Sequence, residues 1–231
     1  MKTLNNKNYP ERINTVKAPT FKRSDVKSSI VHFGVGNFHR CHQAVYCDDL
    51  LNQGELDWGI IGVSLRSAKV RDALAPQGYL YTQATLGEET QYRVISSLTN
   101  ILVAPEIPNS VVMKLADNQT QLVTITITEK GYCLGADGRL DLEHSDIAHD
   151  LVNRCHPVSA IGYIVQGLAQ RKVNGVAAFN VLSCDNVSGN GDKLRRAVID
   201  YAEQLDQGLA AWIEVNVAFP NAMVDSITPK T

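Results

Sequence analysis

Short hydrophobic runs alternate along the chain with stretches whose apolar residues recur at helical spacing. Continuous apolar runs predict buried parallel strands over residues 29–33, 57–63, 122–127 and 177–182. Apolar spacing and flanking turn residues predict helices over 38–51, 111–116, 157–172 and 192–205. The first unit, residues 30–63, has the length of one βαβ crossover. This alternation predicts an α/β fold with a doubly wound, mainly parallel sheet.

Two segments depart from the alternation. Residues 79–86 and 91–98 are β-rich runs on either side of the polar turn Gly87–Thr90. They predict a hairpin that is inserted in, or added to, the main sheet. Residues 131–150 contain three glycines and many polar side chains, and we expect a loop there.

Gly34 and Gly36 stand where the first strand should pass into the first helix. In a dinucleotide-binding domain, the first glycine allows a tight turn and the second lets the backbone approach a pyrophosphate. Free amide groups at the helix start then meet the anion. His39 replaces the third glycine of the common GxGxxG pattern, and a plain strand-to-helix turn is the alternative interpretation. The strand–turn–helix context favours a Rossmann-like dinucleotide-binding domain.

The end of the second predicted strand bears on the choice of cofactor. An acid in this place commonly binds the adenosine ribose, but the first acid after Val63 is Asp72. Ser64 is suited to a ribose hydroxyl, whereas Arg66 and Lys69 are suited to a 2′-phosphate. The residues alone therefore leave the choice between NAD and NADP open.

Composition narrows the class of protein. The 231 residues are 44% hydrophobic and 20% charged, with a formal net charge of −2, a mixture typical of soluble globular chains. No apolar run reaches the roughly eighteen residues of a membrane span, and the start MKTLNNKNYPERIN lacks the apolar part of a secretory signal. We expect a cytoplasmic protein with no membrane partner. Five cysteines without a CxxC pair predict neither a disulfide framework nor a structural metal site.

Positive charge is concentrated at the start of the chain. Residues 1–30 carry seven lysines and arginines against two acids, a net charge of +5. We interpret residues 1–28 as a basic extension that precedes a domain over 29–231. A nucleic-acid-binding arm is the alternative, but no pattern of stacking aromatic residues accompanies the charge. We therefore expect no nucleic-acid partner.

The sequence lacks the motifs of short-chain dehydrogenases, of zinc-dependent dehydrogenases and of P-loop nucleotidases. No tyrosine is followed four residues later by lysine, so the short-chain Tyr-Lys pair is excluded. There is no HExxH, no cysteine–histidine cluster and no GxxxxGK[ST]. A metal-independent nicotinamide enzyme is consistent with what remains.

Four segments, GVGNFHRCHQAVY, ITITEKGYC, VLSCDN and FPNAMVDSITP, occur in this order between about Ile30 and Pro229. Together they resemble the mannitol dehydrogenase family of long-chain polyol-specific dehydrogenases. The resemblance implies a Rossmann-type domain that binds NAD or NADP. It also implies hydride transfer between a polyol, a hexitol such as mannitol, and its ketose. Sugar acids of the fructuronate and tagaturonate type are the alternative substrates.

The resemblance also assigns residues to the site. The residues implied to line the pyrophosphate and adenosine side are Gly34, Gly36, Asn37 and Phe38. We also expect Val35 of the same turn to bind the cofactor, together with Ser64 and Arg66, which follow from the position after the second strand. Glu129 of TEKGY and Asp225 of MVD are implied to lie near the nicotinamide. Asn186 of SCDN is implied to be the catalytic residue that hydrogen-bonds the reacting oxygen.

Two departures from the family pattern affect the expected activity. The family signature V-D-R reads Val224-Asp225-Ser226 here. The family's general base is a lysine in a second, helical domain. We expect both that lysine and that domain to lie outside residues 1–231. The nearby Lys130 is expected to be solvated rather than catalytic. The chain is therefore expected to be the cofactor-binding part of the enzyme; the alternative is a catalytically silent dinucleotide-binding module or a truncated gene product.

Overall fold

The computed structural model describes residues 16–224 and 226–229. The strands in this part of the chain are β1 (Ile30–Phe33), β2 (Ile60–Ser64), β3 (Tyr81–Thr85), β4 (Gln91–Ile95), β5 (Leu98–Val103), β6 (Leu122–Ile125) and β7 (Asn180–Ser183). Five of them form one sheet in the order β5-β2-β1-β6-β7, and every neighbouring pair is parallel. The remaining two, β3 and β4, form a separate antiparallel sheet.

The helices connect these strands on both faces of the main sheet. They are α1 (Asn37–Cys41), α2 (Gln43–Asn52), α3 (Lys69–Leu74), α4 (Pro108–Ala116), α5 (Ser145–Val152), α6 (Ala160–Asn174), α7 (Asn190–Leu205) and α8 (Gln207–Asn216). Short 3-10 turns lie at Arg23–Asp25, Ala75–Gln77 and Glu129–Tyr132. None of the helices in the described part of the chain is long and apolar enough to cross a membrane.

Two hydrophobic cores lie on opposite faces of the sheet because successive side chains of a strand point to opposite sides. Val31 and Phe33 of β1 belong to the larger core, which includes residues of α4, α6, α7 and α8. Ile30 of the same strand belongs to the smaller core, which includes residues of α2 and of the β3–β4 hairpin. Helices thus cover both faces, and the predicted doubly wound fold is confirmed.

A buried arginine joins the α4 and α6 layer to the sheet. The Arg171 side chain is only 2% exposed, and its guanidinium lies 4.9 Å from the ring centre of Phe179. Its nitrogens donate to four backbone carbonyl groups, those of Leu115, Asp117, Thr120 and Ala177. The planar guanidinium thereby satisfies carbonyl groups that end one element and begin the next.

The predicted hairpin exists, but it is a separate sheet rather than an addition to the main one. The buried carboxylate of Asp48 in α2 accepts a hydrogen bond from the Ser96 amide (2.8 Å) and is paired with Arg93 (2.9 Å). These contacts fasten the hairpin to α2. Strand β4 ends at Ile95, and the main-sheet strand β5 that follows it was not predicted.

Two helix predictions and one loop prediction are corrected by the structure. The helix predicted over 38–51 is two helices, separated at His42, whose backbone (φ −122°, ψ −94°) is not helical. The loop predicted over 131–150 contains the start of α5 at Ser145. Helix α6 starts after its cap Ser159 rather than at Pro157, although it ends before Gly175 as predicted. Helix α8 was not predicted.

The described part of the predicted basic extension, residues 16–28, contacts the rest of the fold. The Lys17 amide donates to the Tyr92 carbonyl of β4 at 3.2 Å. Arg23 donates to the carbonyl groups of Gly78 (2.5 Å) and Leu98 (3.0 Å). These thirteen residues therefore lie along the hairpin and the edge of the sheet; residues 1–15 are outside the described part.

Candidate functional site

A cleft opens at the carboxyl edge of the main sheet, where the strand order reverses. The chain passes from β1 to β2 on one side and reaches β6 on the other side of β1; ligands of open α/β sheets bind at such a switch point. The cleft has a volume of about 520 Å³ and is lined by residues 34–36, 64–67, 126–128 and 130–131, together with residues around the starts of α5 and α6.

The two glycines of the predicted phosphate turn have different structural roles. Gly34 has φ of +96°, and a Cβ atom there would lie 2.0 Å from the Thr126 carbonyl oxygen. Gly36 has an ordinary φ of −85°, and a Cβ atom there would meet only the Gly34 oxygen, at 3.9 Å. The fold itself requires glycine at 34, whereas glycine at 36 leaves open space in the lining of the cleft. A pyrophosphate-binding turn requires open space of this kind.

His39 fills the place of the third glycine by stacking on the strand below it. Its ring lies 3.5 Å from that of His32 in β1, with 11° between the ring planes. His32 in turn contacts the turn, because its Nε2 lies 3.1 Å from the Gly34 carbonyl oxygen. Burial lowers the pKa of His32 to about 3 and holds the pKa of His39 well below its usual value. Two neutral rings therefore fill the gap between β1 and α1.

Ser64 and Arg66, the residues predicted to bind a ribose hydroxyl and a 2′-phosphate, both line the cleft at the end of β2. The Arg66 guanidinium donates to the Asp146 carboxylate of α5 at 2.6 Å. An acid therefore does reach this end of the cleft, but from an element eighty residues further along the chain. Spacing from the second strand gave no signal for it.

The other residues assigned to the turn lie beside the cleft. Val35 lines it and is buried. Asn37 begins α1 and lines a neighbouring cleft of about 730 Å³ between α1, α3 and β3, where its Oδ1 accepts a hydrogen bond from Arg40. Phe38 stacks on the His42 ring at 4.8 Å and is not among the residues that line either cleft.

The residues assigned to the nicotinamide end lie after β6 and β7. Glu129 is exposed and pairs with Lys193 at 3.2 Å, whereas the adjacent Lys130 lines the cleft. Asn186 is exposed just after β7 and is not among the lining residues. Asp225 lies outside the described residues. In the part of the chain that is described, no cluster of three or more His, Cys, Asp and Glu side chains is arranged to hold a metal ion.

Comparison with known proteins gives one consistent result. A family model described as the mannitol dehydrogenase Rossmann domain matches residues 28–231. A mannitol 2-dehydrogenase of Phaeosphaeria nodorum is 43% identical over 99% of this chain and 41% of its own length. The D-mannonate oxidoreductase of Escherichia coli is 44% identical over 99% of this chain and 47% of its own length.

A solved structure agrees with these matches. Mannitol 2-dehydrogenase of Pseudomonas fluorescens, in a ternary complex with NAD and D-mannitol, superposes with a TM-score of 0.95 and 43% identity. The match covers 99% of this chain and 48% of that one, so the chain spans about half the length of the relatives it matches. The resemblance inferred from the four sequence segments is confirmed. The chain belongs to the mannitol dehydrogenase family and contains its Rossmann domain.

Proposed function

We propose that this chain is the NAD-binding part of an oxidoreductase that transfers hydride between a polyol, such as mannitol, and its ketose. The observation that carries the proposal is the Gly34–Gly36 turn, which lies at the switch point of the sheet and leaves open space at Gly36. A relative at 43% identity is known in complex with NAD and D-mannitol. We assign residues 29–231 to this unit, preceded by the basic segment 1–28.

The residues that line the cleft supply the contacts a dinucleotide needs. The backbone of residues 34–36 faces the cleft and would receive the pyrophosphate, and the amides at the start of α1 have no partner within that helix. Ser64 would bond an adenosine ribose hydroxyl, and the buried Val35 also lines the cleft. Arg66 beside Ser64 makes NADP the alternative cofactor. Asn37 and Phe38 would border the same turn from the α1 side.

The chemistry of the reaction belongs to the other half of the cofactor. Bound nicotinamide supplies or accepts the hydride, whereas the chain orients the substrate and stabilises its oxygen. We assign to Asn186 a hydrogen bond from its side-chain amide to the reacting oxygen, because it is exposed where β7 ends. Glu129 and Asp225 are assigned to the nicotinamide side. A cytoplasmic location is consistent with five cysteines that are all free.

A sugar acid is the second candidate substrate. It is favoured by the 44% identity to an enzyme named D-mannonate oxidoreductase, over 99% of this chain. Turnover of mannitol, fructuronate and tagaturonate, each with NAD(H), separates the two classes when it is measured on an enzyme in which this chain is joined to the second, helical domain. Turnover restricted to the sugar acids would replace the polyol in the proposal.

Cofactor binding is tested directly by titrating the purified chain with NADH and with NADPH while nucleotide fluorescence is recorded. We expect a saturable change with NADH that ADP reverses by competition. The absence of any response at millimolar nucleotide would refute the proposed function. A tighter response with NADPH would reassign the cofactor to NADP.

A further inference from the structure

We propose that Asp185 is a positioning residue that fixes the segment Thr128–Gly131 to the end of β7. In this position the segment faces the half of the cleft that lies beyond the glycine turn. The inference deepens the proposed function and rests on it for the identity of the ligand. The contacts of Asp185 with the loop after β6 carry the argument.

The Asp185 side chain joins the ends of two neighbouring strands and is only 8% exposed. Its Oδ2 accepts a hydrogen bond from the Ile127 amide at 3.2 Å, and its Oδ1 accepts one from the Thr128 amide at 3.0 Å. The Tyr132 hydroxyl donates to Oδ2 at 3.1 Å. Three donors from the loop after β6 thus converge on one carboxylate that follows β7, and such charge-assisted bonds are strong.

The contact is made where the loop has an unfavourable backbone. Thr128 has φ of 65° and ψ of 164°, a region that is almost restricted to glycine. A β-branched residue stays in such a conformation only where its surroundings determine it. Asp185 accepts hydrogen bonds from the amide of Thr128 itself and from the amide of Ile127, the residue before it. They determine where the loop turns.

The backbone of Asp185 is itself fixed by hydrogen bonds of the Asn190 side chain. The Asn190 side chain, 1% exposed, donates to the Asp185 carbonyl oxygen at 2.9 Å and to the Ala222 carbonyl oxygen at 2.8 Å. Its Oδ1 accepts from the Ala222 amide at 3.0 Å. The carboxylate therefore projects from a fixed backbone, and the loop after β6 takes its position from that backbone.

The segment that Asp185 holds lines one side of the cleft. Thr128, Lys130 and Gly131 are lining residues, as Ser64 is at the end of β2. The strands β2 and β6 lie on opposite sides of β1. With a pyrophosphate over the glycine turn and the adenosine ribose at β2, the remaining half of a dinucleotide lies over β6 and β7. Asp185 should therefore affect that half and leave the adenosine half unchanged.

The substitution Asp185→Asn tests this prediction in two ligands. Asparagine keeps the shape but has one acceptor oxygen, so at least one of the three donors loses its partner. We expect NADH affinity to fall by about tenfold or more while ADP affinity stays the same. Asp192→Asn, at an exposed carboxylate seven residues away, is the control and should change neither affinity. An equal loss of both ligands, or no loss of either, would overturn the proposal.

Amide hydrogen exchange in the free protein gives a second test that needs no ligand. In Asp185→Asn, at least one of the Ile127 and Thr128 amides should exchange at least about tenfold faster. The Thr126 amide, which donates to the Phe33 carbonyl at 2.9 Å, should be unchanged. Unchanged exchange at 127 and 128, or equal acceleration at all three amides, would contradict a positioning role. If the parent chain binds neither NADH nor ADP, the proposed function fails, while exchange still decides the role of Asp185.

Discussion

The contrast between Gly36 and Gly34 permits a test that separates cofactor binding from folding. We consider the substitution Gly36→Val. The backbone at 36 is extended (φ −85°, ψ −178°) and suits any residue. An added Cβ atom has a single neighbour at 3.9 Å, so the new side chain occupies the open cleft and not the protein interior. Its effect should therefore be on the ligand.

The expected magnitudes follow from these contacts. Gly36 is the N-cap of α1, and valine caps poorly, which costs about 1 kcal/mol and lowers Tm by about 2–4 °C. A side chain in this open space prevents two charge-assisted hydrogen bonds to the pyrophosphate, at about 1.5–3 kcal/mol each. The loss of NADH affinity should therefore be on the order of 100-fold or more.

Gly34→Ala is the matched control and should show the opposite pattern. Its Cβ atom would lie 2.0 Å from the Thr126 carbonyl oxygen at a φ of +96°. Backbone strain and overlap together cost roughly 3 kcal/mol or more, which lowers Tm by roughly 6–12 °C. Circular dichroism melts and NADH fluorescence titrations on the same samples measure both effects. NADH binding by Gly36→Val at the affinity of the parent chain would refute the assignment of the turn to pyrophosphate.

The remaining predictions concern the free energy of unfolding. Arg171→Met should lower the free energy of unfolding by about 3–5 kcal/mol because four backbone carbonyls lose a buried cation. Arg195→Met, at an exposed arginine, should change it by about 1 kcal/mol or less. Equal effects of the two substitutions in urea unfolding would contradict this prediction. The pKa of His32 is lowered to about 3, against about 6.5 in the unfolded chain. The unfolded state binds more protons between these values, so stability is complete above about pH 6.5 and decreases as the pH falls, by up to about 1.4 kcal/mol per unit. His32→Gln should reduce this slope in denaturant titrations between about pH 5 and 7; an unchanged slope would rule out His32 as its source.

The hydrophobic pattern was sufficient for the sheet where strands are buried on both faces. Strands β1, β2, β6 and β7 were predicted because a short continuous apolar run is typical of a parallel strand that is covered on both sides. Strand β5 was not, because only Ser96 and Ser97 separate it from β4. Their side chains are buried and bonded to α2, a tertiary contact that replaces the usual turn signal. Local pattern carries no information about such contacts.

The site was predictable where its chemistry is local in sequence and not where it is assembled across the fold. The glycine turn follows directly after β1 and Ser64 is the last residue of β2, and both line the cleft. Asp146 reaches Arg66 from α5, in a segment that was predicted to be a loop. Asp185 adjoins the predicted Asn186, but the donors to its carboxylate lie 53 to 58 residues earlier. Only the parallel pairing of β6 with β7 brings them together.

The stacked imidazole rings of His32 and His39 have a consequence for how related chains vary. The two rings share one gap between β1 and α1, so the side chain that fits at 32 depends on the side chain at 39. A glycine at 39, as in the common fingerprint, would leave one face of the His32 ring uncovered. The two positions should therefore covary among relatives. A flat ring at 39 should occur with a flat ring at 32, and a small residue at 39 should occur with a residue of a different shape at 32. A sequence pattern that requires the third glycine therefore misses every chain that has stacked rings at these two positions.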